Sequence, residues 1–172
     1  MDLQAFKQHI LPVQARLFRL AQMFLRNREE AEDATQDVLL RLWTNRQKLE
    51  TYNSVEALAV QMTKNECLDR IKSQSRKRMD SDVDMTSVLA GGVSPYTQVE
   101  LTDSISLVHK LMNALPEQQK LVIHLREVEE YSFEEIEEVT GLSSANIRVI
   151  LSRARQRLRE NYLKNNDYEA GN

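Results

Sequence analysis

The sequence is poor in the residues that form crosslinks, sharp turns and metal sites. It contains one cysteine, three prolines, four glycines and three histidines in 172 residues. A single cysteine, Cys67, excludes an internal disulfide, and its position among helix-forming residues predicts a buried apolar side chain rather than a reactive thiol. His9, His109 and His124 lie far apart without ligand-like neighbours, so we do not expect a catalytic or metal-binding role for them.

Long apolar runs are also missing. No stretch reaches the roughly 18 consecutive apolar residues that a membrane-spanning helix needs. The first ten residues lack the basic start and apolar centre of a signal peptide. No nucleotide-binding loop, metal-ligand set or nucleophile–base arrangement is present. With 41% hydrophobic and 28% charged residues, the composition is that of a soluble protein. We therefore expect a cytoplasmic, non-enzymatic protein with no cofactor and no membrane insertion.

Charge is distributed unevenly along the chain, which carries a net charge of -3 at pH 7. Residues 1–78 have a net charge of +4, residues 79–106 have -5 and no Lys or Arg, and residues 107–172 have -2. A protein that binds DNA through charge alone is usually basic overall. Any DNA binding by this chain is therefore expected to be assisted, either by dimerisation or by a larger basic partner.

Residues 131–160 combine an acidic amphipathic stretch, a glycine and a basic amphipathic stretch. Ser132 followed by Glu135 forms a capping box that predicts a helix start, and Gly141 predicts the end of that helix. Ser143 or Ser144 would cap a second helix. The predicted inward positions recur at helical spacing: Phe133, Ile136 and Val139, then Ile147, Leu151, Ala154 and Leu158. The pattern predicts a helix-turn-helix, whose second helix enters a DNA major groove.

The second of these helices has five arginines and no acidic residue between Arg148 and Arg159. A basic amphipathic helix is also compatible with a solvated surface or a partner-binding helix. The glycine at the turn, the correctly placed preceding helix and the single sign of the charge favour contacts with phosphates.

Helical periodicity continues along most of the chain without a competing strand signal, which predicts an all-α protein. The first half contains helices near residues 6–25, 29–43 and 55–75. Gly91, Gly92 and Pro95 lie in a stretch of linker composition, and Pro116 is expected in the first turn of a later helix. The predicted divisions are a first helical domain (1–78), a flexible acidic linker (79–105), a second helical domain with the helix-turn-helix (106–164) and a frayed tail (165–172).

Residues 30–43, EAEDATQDVLLRLW, resemble the second region of bacterial RNA polymerase sigma factors of the sigma-70 family, in the extracytoplasmic-function branch. Residues 57–78 resemble the promoter-melting helix of that family, and residues 115–158 resemble its fourth region. The resemblance implies a transcription initiation factor that binds core RNA polymerase and promoter DNA. It also implies an inhibitory anti-sigma factor as a further partner.

A polar strip is predicted on the second helix, because Asp33, Gln36 and Asp37 lie at i, i+3 and i+4. By itself such a strip could be a solvated helix face, with Trp43 in the core. The resemblance implies instead that this face docks on the clamp helices of the largest polymerase subunit. The residues expected at that interface are Asp33, Gln36, Asp37, Leu39, Leu40 and Trp43.

The third predicted helix and the loop before it are expected, by resemblance, to bind the minus-ten element. Cationic side chains suit backbone contacts, whereas unstacked bases need aromatic or amide partners. Asn65 matches the amide position of the family. Leu58, Ala59 and Val60 stand where an aromatic residue is frequent, and Tyr52 is the only nearby ring. The residues expected to contact the minus-ten element are Tyr52, Lys64, Asn65, Arg70, Lys72, Arg76 and Lys77.

The recognition helix is expected to read the minus-thirty-five element, with its first turns near base edges and its later arginines near phosphates. The family often has a small polar residue and then an arginine where this chain has Val149 and Ile150, so one phosphate contact is expected to be missing. The residues expected at this interface are Ser144, Ala145, Asn146, Arg148, Val149, Ser152, Arg153 and Arg155.

Two other functions remain open from the sequence. A helix-turn-helix regulator that binds DNA as a dimer would have a similar C-terminal half, but its N-terminal half should show an α/β receiver pattern, and this chain shows none. A helical adaptor that sequesters another regulator is the third possibility.

Overall fold

The computed structural model describes residues 1–80 and 103–171, and all regular elements within these ranges are helical. The chain divides into two compact units, Met1–Val99 and Glu100–Asn172. The predicted all-α class with two helical domains is therefore confirmed. Most of the predicted linker lies outside the described residues. Among the helices described here, none is long and apolar enough to cross a membrane.

Within residues 1–80, the described part of the first unit, there are three α-helices and one 3-10 helix. Their bounds are α1 Leu3–Leu25, α2 Arg28–Thr44, the 3-10 helix Arg46–Thr51 and α3 Val55–Asp80. Each α-helix begins at a capping side chain: Asp2, Asn27 and Ser54 accept hydrogen bonds from backbone amides three residues later, at 2.8, 3.0 and 3.0 Å. Such caps satisfy amides that have no partner inside a helix.

The core of the first unit lies where its three α-helices pack against one another. Each helix turns its apolar stripe inward, so that water is excluded from the middle of the bundle. The fully buried large side chains there are Ile10, Leu17, Leu20, Val38, Leu42, Leu49 and Val60. Because α2 and α3 bury only one stripe each, their remaining faces are open to partners.

Cys67 lies in this core on α3, with no exposed surface. Burial raises the pKa of its thiol to about 12, because a thiolate would lose its hydration there. The prediction of a buried cysteine is confirmed.

The second unit, as far as it is described (residues 103–171), contains four α-helices and one π-helical turn. Their bounds are α4 Asp103–Asn113, α5 Glu117–Ile123, the π-helical turn His124–Val128, α6 Phe133–Thr140 and α7 Ser144–Ala170. Its core is formed mainly by α5 and α7, with α6 packed against α7. The large side chains fully buried in it are Val122, Leu125, Ile136, Ile147 and Leu151.

Several predicted bounds differ from the structure. The tail from Asn165 was expected to fray, but α7 continues to Ala170 because no glycine or proline interrupts it before Gly171. The predicted linker, 79–105, begins and ends inside helices, since α3 extends to Asp80 and α4 starts at Asp103. Pro116 is the residue immediately before α5, rather than a residue of its first turn. Side-chain patterns fix the middle of a helix better than its ends.

His124 and Glu129 form a buried pair at the π-helical turn. Their Nε2 and Oε1 atoms lie 3.4 Å apart, and neither residue is more than 7% exposed. Within the ranges that the structure describes, no group of three His, Cys, Asp or Glu residues could hold a metal ion. The pair links His124, the first residue of the π-helical turn, to Glu129, the residue immediately after the turn.

Candidate protein and nucleic-acid interfaces

The polar strip predicted on α2 lies on the protein surface. Asp33, Gln36 and Asp37 are exposed, and Leu40 is 63% exposed although it is apolar. α2 therefore presents a mixed apolar and acidic face to solvent, and Asp37 on this face also contacts Arg70 of α3.

Trp43 is only half-buried, and its ring is engaged inside the first unit. The ring contacts Phe6 edge-on, with centroids 5.1 Å apart, and the Arg46 guanidinium lies 4.2 Å from the Trp43 centroid. Arg46 also donates a hydrogen bond to the carbonyl oxygen of Trp43. Leu39 is half-buried as well. Trp43 and Leu39 are thus partly covered, whereas Leu40, at the C-terminal end of the strip, is exposed.

A row of polar contacts joins α3 to α2 beneath the strip. Glu66, Arg70 and Gln74, spaced four residues apart on α3, face α2. Arg70 binds the Asp37 carboxylate at 2.6 Å and the Glu66 carboxylate at 2.9 Å. Glu66 binds Arg41 at 2.7 Å, and Gln74 donates to Glu30 at 2.6 Å. The structure thus places Arg70 in a helix–helix seam, in direct contact with the strip.

The other residues predicted to bind the minus-ten element lie on α3 and on the loop before it. Asn65, Lys72, Arg76 and Lys77 are exposed, Lys64 is half-buried, and Tyr52 is 49% exposed. Tyr52 follows the 3-10 helix, which is anchored by buried Leu49. A cationic end of α3 and an accessible ring on the neighbouring loop are the features that single-stranded nucleic acid requires.

The helix-turn-helix forms as the sequence predicts. Ser132 and Glu135 make both hydrogen bonds of the capping box, at 3.1 and 2.7 Å. Gly141 ends α6 with a φ of 72°, a conformation that side chains other than glycine adopt at a cost. Ser143, rather than Ser144, caps α7. The Ser144 hydroxyl instead donates to the Glu137 carboxylate at 2.6 Å, which ties the two helices across the turn.

The face of α7 that was predicted to bind DNA is exposed. Its inward side is formed by buried Ile147, Leu151 and Ala154, while Leu158 and Phe133 are only half-buried. Val149 is 47% exposed, so an apolar side chain lies within the polar face. The exposed residues on the outer side are Ala145, Asn146, Arg148, Val149, Ser152, Arg153 and Arg155.

Two arginines on this face have partners that sequence reasoning missed. The guanidinium of Arg148 lies 5.0 Å from the centroid of the Phe133 ring on α6. The guanidinium of Arg155 is paired with the Glu127 carboxylate of the π-helical turn, with Nε 2.9 Å from Oε1. Glu127 is 28 residues from Arg155, so no local spacing rule could have found the pair.

Comparison with known proteins covers both units. Residues 10–77 match the family model for sigma-70 region 2, and residues 105–158 match the model for sigma-70 region 4. The chain is 24% identical over 167 residues to the ECF RNA polymerase sigma factor SigW of Bacillus subtilis, covering 92% of this chain and 89% of SigW. It is also 24% identical over 147 residues to the ECF RNA polymerase sigma factor SigM of the same organism, covering 85% of this chain and 88% of SigM.

Solved structures agree with these matches. The sigma factor RpoE from Bartonella quintana, solved with the anti-sigma factor NepR, is similar with a TM-score of 0.72 and 28% identity, over 93% of this chain and 98% of that chain. CnrH, solved with the cytosolic domain of CnrY, has a TM-score of 0.66 and 18% identity. The match covers 92% of this chain and 88% of the CnrH chain. At that lower identity CnrH supports the fold alone.

Proposed function

The chain belongs to the sigma-70 family, in its extracytoplasmic-function branch, and on that premise we propose how it divides the work of transcription initiation. It binds core RNA polymerase and directs it to specific promoters. The exposed strip of α2 docks on the polymerase. The loop at Tyr52 and the end of α3 bind the minus-ten element, and α7 reads the minus-thirty-five element as duplex. The observation that carries the proposal is the presence of both matched regions, in order, in one chain.

The proposed role is non-enzymatic and cytoplasmic, because the template and the polymerase are found there. A sigma factor supplies recognition and strand separation, and the bond-forming chemistry belongs to the polymerase. We also propose an anti-sigma factor as a partner, since the similar RpoE structure contains one. An anti-sigma factor that covered the α2 strip would block polymerase binding, because one surface cannot hold two partners.

The proposed function is tested by run-off transcription from genomic fragments with purified core enzyme. We expect discrete transcripts only when this chain is added, and we expect it to co-purify with the core enzyme. A dimeric DNA-binding regulator would bind fragments without core enzyme and would yield no transcripts. Transcripts that are the same with and without the chain would contradict the proposal.

The Glu127–Arg155 pair leads to a prediction about affinity. If Arg155 contacts a phosphate, DNA must compete with the Glu127 carboxylate for the same guanidinium. Both side chains are about half exposed, and such pairs contribute roughly 0.2–1 kcal/mol. Glu127→Gln is therefore expected to raise the affinity of the holoenzyme for all minus-thirty-five sequences by about 1.4- to 5-fold, with the larger gain at low salt.

The same substitution in an Arg155→Ala background is the control. A carboxylate near DNA also repels phosphates directly, and that part of the gain would persist without Arg155. Competition for Arg155 predicts that most of the gain disappears in the double variant. An equal gain in both backgrounds would show that Glu127 acts by repulsion alone.

A further inference from the structure

Two arginines of α7 contact different kinds of group, Arg155 a carboxylate and Arg148 an aromatic ring. Arg155 is held by a carboxylate, which neutralises its charge and occupies Nε and one terminal nitrogen. Arg148 is held by an aromatic ring. A ring attracts the cation through its π-electrons and leaves the charge and the in-plane N–H donors available to a third group. Of the two, only Arg148 is held in a way that leaves it ready for a hydrogen-bonding partner.

The ring that holds Arg148 is itself firmly placed. Phe133 is the first residue of α6 and lies between the two residues of the capping box. The next inward residue, Ile136, is fully buried. A second guanidinium, that of Arg126, lies 4.7 Å from the Phe133 centroid and donates to the carbonyl oxygen of Tyr131 at 2.8 Å. The ring thus contacts two guanidinium groups, of which that of Arg126 is anchored to the backbone.

We propose that Phe133 is the positioning residue for Arg148, and that it sets the sequence selectivity of the recognition helix without touching DNA. A bidentate contact to a guanine requires the planar guanidinium to lie in the plane of the base edge. An arginine side chain that is free in solvent must lose several rotamers to reach that geometry. The contact with Phe133 restricts the side chain before DNA arrives. The binding free energy for the base that Arg148 can reach in this orientation is therefore improved more than that for the other bases.

This inference rests on the proposed reading of the minus-thirty-five element by Arg148, and the test separates the two. The measurement is holoenzyme binding to a library of minus-thirty-five variants, for Phe133→Leu, Phe133→Tyr, Arg148→Ala and the double variant Phe133→Leu/Arg148→Ala. Leucine keeps an apolar side chain at the half-buried site but has no π-electrons, whereas tyrosine keeps the ring. Thermal unfolding of each variant checks that the second unit stays folded, and Phe133→Met replaces Phe133→Leu if it does not.

We expect Phe133→Leu to lower the preference for the base read by Arg148 by about two- to tenfold, and to leave selectivity at other positions unchanged. Phe133→Tyr should retain the wild-type profile. In the Arg148→Ala background, Phe133→Leu should change the profile no further, because the side chain that it positions is gone.

Three results would overturn the proposal. If Arg148→Ala alters the profile and Phe133→Leu does not, Arg148 reads a base without help from the ring. A uniform loss of affinity for all sequences on Phe133→Leu would show a structural role only. If Arg148→Ala leaves the profile unchanged, the base-reading role of Arg148 fails, and the positioning role fails with it.

Discussion

Replacing Asp37 with lysine is expected to weaken binding of the chain to core RNA polymerase by roughly 100-fold, which corresponds to about 3 kcal/mol. Asp37 lies at the centre of the exposed α2 strip, between Gln36 and Leu40. Reversing a charge inside an interface adds like-charge repulsion to the loss of whatever attraction the carboxylate supplied. The measurement is a titration of labelled chain with core enzyme.

The control for this variant is Arg70→Ala. Asp37 is also bound to Arg70, so Asp37→Lys disturbs the α2–α3 seam as well as the surface. Arg70→Ala removes the same ion pair but leaves the strip intact. We expect Arg70→Ala to retain nearly full polymerase binding, because no residue of the strip is changed. The variant also removes the Arg70–Glu66 contact, although Glu66 keeps its contact with Arg41, so thermal unfolding checks that the first unit stays folded. If both variants lost polymerase binding equally, the seam rather than the strip would be responsible.

Arg148→Ala and Arg155→Ala are expected to have different effects on promoter binding. Arg148 lies in the second turn of α7, where side chains approach base edges, and Arg155 lies two turns later. Arg148→Ala should cost about 1–3 kcal/mol on the preferred promoter and relax selectivity at one or two positions. Asn146→Ala should behave similarly. Arg155→Ala should weaken all promoters about equally and lower the salt dependence by roughly one counterion.

The measurement is holoenzyme binding to minus-thirty-five variants at two salt concentrations. The Glu127–Arg155 pair makes the expected loss on Arg155→Ala smaller than for an unpaired arginine, because DNA must first break that pair. Identical sequence profiles for the Arg148 and Arg155 variants would contradict the division of roles between them.

The sequence predicts these helices well because the signals that define a helix lie within a few residues of one another. The capping box at Ser132 and Glu135 uses two residues of one helical turn, and Gly141 acts through its own φ angle. The inward stripe of α7 follows from the helical repeat, and three of its four members are buried. The ends of helices follow less directly from such signals: α7 runs to Ala170, because polar residues without a breaker can continue a helix that has already formed.

For the candidate sites, the sequence predicts which helix faces are exposed to solvent, but it does not predict the side-chain contacts between helices. The periodicity of α2 and α7 indicates which side of each helix faces solvent, and every predicted residue with a polar side chain on the outer face of α7, apart from Ser144, is exposed. Ser144 is half-buried against Glu137, seven residues before it. A contact of that kind depends on the angle of the turn, which the helical repeat does not contain.

By itself, then, the sequence determined the helical class, the capping box of α6, most of the inward stripe of α7 and the family to which the chain belongs. Only the tertiary structure decided which charged residues are already engaged: Arg70 with Asp37 and Glu66, Arg155 with Glu127, and Arg148 with the ring of Phe133. The reason is physical. Helical caps and stripes are set by interactions within a few residues, whereas a long charged side chain reaches several possible partners on neighbouring helices. The packing of the helices selects among them.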